Sequence, residues 1–375
     1  MKRWIGTVLA LVMIISCLHG CGGQNDATGL GNGWEPVSSM ELQYAHEFSL
    51  DYFADGYKLI TLGDGSRFLV VPEGMEVPSG IHRDIVALRQ PIENIYLAAT
   101  SVMCLFDGLD RLDAITLSGT RAEGWYIDRA REAMERGDIL YAGKYSEPDY
   151  ERILGSSCSL AIESTMIGHA SDVKDKLEEL GIPVLVDQSS RETHPLGRTE
   201  WVKLYAALLN EEEQAELLFQ KQADYLNSVR QEANTGKTVA FFYISSSGYV
   251  VTRKSGDYVS KMIELAGGKY VFDNLGDPES SSSTATIEME TFYAAAKDAD
   301  YIIYNSAIAG EVESLAQLLA LNPLLKDFKA VKNGNVWCTS QNMFQETLQL
   351  GQMIREFHLI FSDSPGEFDY LFPLT

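Results

Sequence analysis

GRTEWVKLYAALLNEEEQAELLFQKQADYLNSVRQEA, residues 197–233, is the stretch that decides the architecture. After Gly197 it contains neither Pro nor Gly, and its apolar residues (Trp201, Leu204, Tyr205, Leu208, Leu209, Leu217, Leu218, Ala223, Leu226, Val229) recur at helical spacing. The pattern predicts one long helix of roughly 50 Å at about 1.5 Å per residue, or two helices broken near Asn210. On either side the pattern changes to strands alternating with helices. Upstream, Ile92–Ala98, Leu112–Leu117, Ser159–Glu163 and Pro183–Val186 read as strands. Between them Val102–Gly108, Ile127–Glu135, Asp149–Leu154 and Ser171–Leu180 read as helices, the last stopped by Gly181. Downstream, strands Val239–Ile244, Tyr270–Phe272, Tyr301–Tyr304 and Asn335–Cys338 alternate with helices Asp257–Leu265, Met289–Lys297 and Val312–Leu319, and a closing helix covers Phe344–Phe361. Such alternation implies βαβ units on parallel sheets.

The expected fold class is therefore α/β, with two Rossmann-like βα lobes joined by a single long helix. Residues 91–195 form the N-terminal lobe, 196–235 the linking helix and 236–375 the C-terminal lobe. Ahead of them, residues 41–90 form an N-terminal extension in which Tyr57–Leu62 and Arg67–Val71 flank Gly63-Asp64-Gly65 as a β-hairpin.

Residues 1–20 read as a signal peptide: basic Lys2 and Arg3, the apolar stretch Ile5–Leu18, then Leu18-His19-Gly20-Cys21. The apolar stretch is too short for a permanent span of ~30 Å of hydrocarbon. The layout resembles a bacterial lipoprotein signal, which implies a diacylglyceryl group on Cys21, although Ile14-Ile15-Ser16-Cys17 fits the same pattern. Residues 21–40 then serve as a flexible tether, and the mature chain is extracytoplasmic and held at the membrane by lipid.

Composition narrows the function. The net charge of −23 argues against nucleic-acid binding, which needs a basic face. Past the signal only Cys104, Cys158 and Cys338 remain, with no CxxC pair, so neither a disulfide framework nor a zinc ribbon is expected. His46, His82, His169 and His358 are scattered, which points away from a directly chelated metal ion. The sequence has no GxSxG, P-loop or HExxH, so no catalytic residue is assigned and a non-enzymatic role is expected. A surface lipoprotein with an enzymatic or adhesive role is the rival from another class.

Three local patterns carry a resemblance to a known family. Ile95-Tyr96-Leu97-Ala98-Ala99-Thr100-Ser101 stands as a first strand and small-residue turn. Pro148-Asp149-Tyr150-Glu151-Arg152-Ile153-Leu154 is followed by Leu177-Glu178-Glu179-Leu180-Gly181-Ile182-Pro183-Val184. Val259-Ser260-Lys261-Met262-Ile263-Glu264-Leu265-Ala266-Gly267-Gly268 stands in the second lobe. Over residues 90–361 the chain resembles the substrate-binding proteins of ABC importers, in the clade that carries iron-siderophores, haem and cobalamin. The resemblance implies a monomer that captures a metal chelate (ferric siderophore, haem or cobalamin) and delivers it to a membrane permease with its ATPase, with no intrinsic cofactor. It also implies that Glu151 and Glu290, which open matching helices in the two lobes, dock on basic residues of the permease. The alternative reading of both is simple complementarity to the helix dipole.

Ligands of α/β sheets bind beyond the carboxyl ends of strands. That rule selects Thr100, Ser101, Arg121, Trp125, Tyr145 and Ser164 in the first lobe and Ser246, Tyr249, Asn305 and Trp337 in the second. Aromatic faces, hydroxyls and a cation suit a large planar or chelate ligand. His194-Pro195-Leu196-Gly197-Arg198 reads as a helix-start turn, with the alternative that His194 or Arg198 faces the cleft at the hinge.

Overall fold

A computed structural model describes residues 29–31, 33–277, 283–310 and 312–375. The signal peptide, Cys17 and Cys21 lie outside the described residues.

The extension is more than a hairpin. It is a five-stranded sheet, β1 (Ser38–Ser39), β2 (Phe48–Tyr52), β3 (Lys58–Leu62), β4 (Arg67–Val71) and β5 (Ile85–Arg89), in sequential order. The expected hairpin is β3–β4, closed by Leu62 N–H to Ser66 O at 2.9 Å, with Gly65 at φ 87° where a side chain would be strained. Side chains alternate along each strand, and both faces are buried. Phe48, Leu50, Ile60, Phe68 and Val70 join the main core, while Tyr57, Leu59, Leu69 and Val71 pack beneath Leu30 and Trp34.

The N-terminal lobe follows: β6 (Ile95–Leu97), α1 (Met103–Gly108), β7 (Ile115–Ser118), α2 (Asp128–Arg136), β8 (Leu140–Tyr141), a short hairpin of β9 (Gly143–Lys144) and β10 (Glu147–Pro148), α3 (Tyr150–Gly155), β11 (Leu160–Ser164), α4 (Ser171–Glu179) and β12 (Val184–Asp187). Its sheet is parallel in the order β12-β11-β6-β7-β8. The β6, β11 and β12 side chains are almost wholly apolar because helices cover both faces.

The linking segment is three helices rather than one: α5 (Pro195–Glu200), α6 (Val202–Leu209) and α7 (Glu212–Arg230). The main break falls at Asn210, whose φ of 60° is left-handed, a conformation that Asn tolerates better than most side chains. Its Oδ1 accepts from Lys58 Nζ at 2.8 Å and Gln90 Nε2 at 3.0 Å, so the extension holds the break in place.

In the C-terminal lobe, β13 (Thr238–Ile244), β14 (Val250–Arg253), α8 (Tyr258–Leu265), β15 (Lys269–Tyr270), β16 (Thr284–Ile287), α9 (Met289–Ala296), β17 (Tyr301–Tyr304), α10 (Ser306–Ala309), α11 (Leu315–Leu321), α12 (Lys329–Asn333), β18 (Val336–Thr339), α13 (Leu350–Phe361) and β19 (Leu371–Pro373) build a mixed sheet. Strands β15, β13, β17 and β18 are parallel; β14, β16 and β19 add antiparallel edges that the sequence reading did not contain. The closing helix begins at Leu350, later than expected, after two single 3₁₀ turns over 341–349. Gly351 lies against α7 so closely that a Cβ there would stand 2.2 Å from Gln222 O.

The extension is latched onto α5 by two buried carboxylates. Glu200, fully buried, accepts N–H bonds from Gln43, Tyr44 and Ala45 at 2.8–3.0 Å. Glu192 accepts from His46 and Glu47 N–H and from Trp201 Nε1 at 2.9–3.1 Å. Gly197 permits the approach, since a Cβ would meet Tyr44 O at 2.9 Å. Hydrogen bonds to a buried charge are worth about 1.5–3 kcal/mol. Glu200→Gln is therefore expected to lower the unfolding free energy by about 2 kcal/mol in urea titrations, and a change under ~0.5 kcal/mol would contradict the latch.

Candidate functional site

The parallel strands of each lobe collect their carboxyl-end loops on one edge, and the loop after β18 bonds the loop after β7 through Gln345. The cleft expected between these edges is the site that the topology favours. On the N-terminal side, Thr100 and Arg121 are exposed and Ser101, Tyr145 and Ser164 half-buried. Arg121 stacks over the Tyr141 ring at 4.1 Å. Trp125 is different: it is buried, and its Nε1 donates to Ser118 Oγ at 3.2 Å, so it props the loop from beneath. Its neighbour Tyr126 carries the exposed ring, at 41%.

On the C-terminal side Ser246 and Tyr249 stand exposed on the β13–β14 turn, whose Ser245 Oγ accepts from Tyr249 N–H at 3.2 Å. Asn305 is buried at the end of β17 with an unpartnered Oδ1. Trp337 lies inside β18, not at its end, and packs on Phe368 at 5.0 Å. The carboxyl end of β18 instead presents the segment 341–345.

Across the cleft the lobes touch. Gln345 Oε1 accepts from Tyr126 N–H at 2.9 Å while its Nε2 donates to Gly124 O at 2.7 Å. The following carboxyl, Glu346, is pushed up to about 7 by burial and by Asp107 of α1. At the floor, Arg198 donates to Ser190 O at 2.7 Å and Glu192 O at 3.2 Å and stacks over Tyr258 of the other lobe at 4.0 Å. His194 behaves as the helix-start reading holds: it is the N-cap of α5, its Nδ1 accepts from Leu196 N–H at 3.1 Å, and its ring stacks on Tyr44. Burial, with Arg230 and His46 nearby, lowers its pKa to about 4.

Two expected docking residues, Glu151 and Glu290, are exposed in the first turns of α3 and α9. Asp149 already caps α3, its Oδ1 accepting from Arg152 N–H at 3.0 Å, so Glu151 is left free of that duty.

Cavities occur elsewhere. One of about 1170 Å³ separates α7 from α13, lined by Tyr225, Lys221 and Arg355 among others; another of about 380 Å³ lies between the extension and α6. Neither is lined by any of the expected ligand-binding residues. Among the described residues no group of three His, Cys, Asp or Glu converges as a metal site.

Sequence reading missed Gln345 and Glu163. Nothing in a one-dimensional pattern marks Gln345, because its partners lie more than 200 residues away in the chain. Glu163 alone has a signal, a carboxylate within an otherwise apolar strand.

Residues 107–342 match the family model described as periplasmic binding protein. The chain belongs to that family. An uncharacterized lipoprotein of Methanocaldococcus jannaschii is 26% identical over 379 residues, covering 92% of this chain and 89% of its own. A second from the same organism is 25% identical over 318 residues, covering 81% and 78%. Among solved structures, the periplasmic haem-binding protein HutB of Vibrio cholerae superposes with TM-score 0.58 at 17% identity, over 70% of this chain and 98% of that one. The vitamin B12-binding protein BtuF of the same organism gives 0.51 at 16%, over 73% and 99%. An Fe3+-hydroxamate transport protein of Saccharomonospora viridis gives 0.55 at 18%, over 72% and 93%. The periplasmic binding protein fold is thus present nearly whole, and more than a quarter of this chain lies outside each superposition. The family match also begins after the five-stranded sheet. The family consists of solute-binding proteins, and the two lobes around a cleft fit that role.

Glu163 sits in β11 with both carboxylate oxygens buried and unpartnered, and burial pushes its pKa to about 8. Between roughly pH 4.5 and 8 the unfolded chain ionises this group while the native state keeps its proton, so stability is lost as pH rises through that window. Glu163→Gln is expected to raise the melting temperature by roughly 2–4 °C at pH 8 and to leave it unchanged at pH 4.5; a pH-independent difference in a thermal scan series would rule out the protonated carboxyl.

Proposed function

We propose that this protein is the substrate-binding lipoprotein of an ABC importer. It captures an iron complex, a ferric siderophore or haem, outside the cell and delivers it to a membrane permease driven by an ATPase. The observation that carries the reading is the meeting of strand-end loops from two α/β lobes, through Gln345, in a member of the periplasmic binding protein family. Structural neighbours described as binding haem, vitamin B12 and Fe3+-hydroxamate support a chelate as the class of cargo. Curated relatives described as lipoproteins support lipid attachment, which the sequence assigns to Cys21. In this reading Thr100, Ser101, Arg121, Tyr145, Ser164, Ser246 and Tyr249 face the cargo, and Trp125, Asn305 and Trp337 support the loops that do.

Absorbance titration of the mature protein with haemin, ferric desferrioxamine B and cyanocobalamin is the direct test. Saturable binding of one iron complex at ~1 µM or tighter is expected. Preference for cyanocobalamin would move the assignment to a cobalamin carrier of the same fold, and binding of none of the three would overturn it.

Docking gives a separate expectation. Glu151→Ala combined with Glu290→Ala should leave cargo affinity unchanged and weaken binding to the cognate permease, in detergent or nanodiscs, by about tenfold. Equal loss of both affinities would instead mean that the pair supports the fold.

A further inference from the structure

Residues 341–349 leave the C-terminal lobe after β18 and lie against the N-terminal lobe before α13 begins. Three contacts fasten this strap. Gln345 bonds the loop after β7 through both atoms of its amide, Oε1 accepting from Tyr126 N–H at 2.9 Å and Nε2 donating to Gly124 O at 2.7 Å. Thr199 Oγ1 of α5 donates to Thr347 O at 2.9 Å, a buried bond. Leu348 presses on α1 so closely that a Cβ at Gly108 would stand 2.3 Å from its Cδ2. Between the fastened residues Gln345 and Thr347 sits the carboxyl of Glu346.

Glu346 has no ion pair among the described residues, and burial, then the Asp107 charge on α1, push its pKa up to about 7. The other titratable groups that face it are Cys104 of α1 and Tyr370 just before β19; burial pushes both up, with Glu346 adding to the shift. Helices α5, α7 and α13 and the loop after β7 add no charge to that balance. Arg129 of α2 answers Asp107 instead, its Nη1 3.0 Å from Oδ1, and also pairs with Asp110. Asp107 is itself raised, by burial first and Asp110 next, with Arg129 opposing. The fastened arrangement thus accepts a neutral Glu346 and penalises an ionised one. With the strap lifted into water, Glu346 ionises near its ordinary 4.5. From there to about 7 the lifted form gives up a proton that the fastened form keeps, so fastening weakens as pH rises through that window.

We propose that residues 341–349 are a pH-sensitive strap: the Gln345 clasp between the lobes stays fastened while Glu346 carries its proton, and ionisation of Glu346 opposite Asp107 releases it. Gln345 and Glu346 are adjacent in the chain, so a carboxylate that swings toward water draws the amide away from Gly124 and Tyr126. The consequence for cargo rests on the importer reading: an occupant held between strand-end loops leaves faster as pH rises. The strap itself can be tested without any cargo.

Hydrogen exchange at the Tyr126 amide reads the clasp directly, because Gln345 accepts that N–H. After correction for intrinsic exchange, its protection in the mature protein should fall at least ~10-fold from about pH 5 to about pH 7.5. Glu346→Gln should keep the protection at both pH values, which separates the strap from the Glu163 carboxyl, still titrating in that variant. Gln345→Ala should leave the amide unprotected throughout; protection equal to wild type would mean another acceptor and overturn the clasp. No fall in the wild type, or an equal fall in Glu346→Gln, overturns the strap. Should Glu346→Gln fail to fold, Asp107→Asn should reduce the fall at least ~2-fold, and an unchanged fall overturns the role of the pair. The second arm uses whichever of haemin, ferric desferrioxamine B and cyanocobalamin binds. Its dissociation rate constant should rise at least ~5-fold over the same interval in the wild type and stay level in Glu346→Gln. Equal rises in both proteins overturn the release role. If none of the three binds, the importer reading fails while the exchange result still judges the strap.

Discussion

Glu192 and Glu200 collect the backbone N–H groups of residues 43–47, and much of the molecule's arrangement depends on that capture. A buried carboxylate must be answered by several donors, and here they come from an extended segment that has few other interactions to make. The segment leads into β2, so fixing it fixes the sheet, and the sheet in turn places Lys58 and Gln90 against Asn210. The break between α6 and α7 is therefore a joint product of a local conformational preference and a distant docking contact. Phe48 against Trp201 at 5.1 Å adds the apolar half of the same interface.

The site inherits this logic of groups left incomplete by their own lobe. Many of the surface ion pairs join residues a few positions apart, as Lys174 with Glu178 and Arg131 with Asp128 do. Such pairs are worth little individually. The groups that stand out are buried ones with an unpartnered oxygen, Glu163, Asp257 and Asn305, together with Gln345 bridging the two edges. Burial without compensation is unfavourable for stability, and it is tolerated where a later event completes the hydrogen bonding.

The parallel strands were legible because strands covered on both faces read as short apolar runs: Ile95–Leu97 and Tyr301–Tyr304 fall inside the expected segments, and Leu160–Ser164 ends one residue beyond its own. Glycine stops such as Gly181 at φ 80° were equally plain. What escaped were β14, β16 and β19, four residues or fewer each, whose pairing is decided by neighbours rather than by periodicity. The break near Asn210 was one of two readings left open, because Asn210 has helical neighbours on both sides and only its contacts reveal a left-handed backbone. At the strand ends the loops themselves were legible, but the orientation of their side chains was not. Trp125 turns inward to Ser118 whereas adjacent Tyr126 turns outward, a difference set by one hydrogen bond.

The packing of Leu30 and Trp34 beneath the extension has a bearing on where the molecule stands. Gly29 is eight residues from the proposed lipid site, so its Cα stands at most ~28 Å from that of Cys21. With that cysteine acylated, the five-stranded sheet is held next to the bilayer like a foot on a short chain. In the proposed anchored form the protein would have little freedom to wander from the membrane, and encounters with a permease would become a search over orientations rather than over distance.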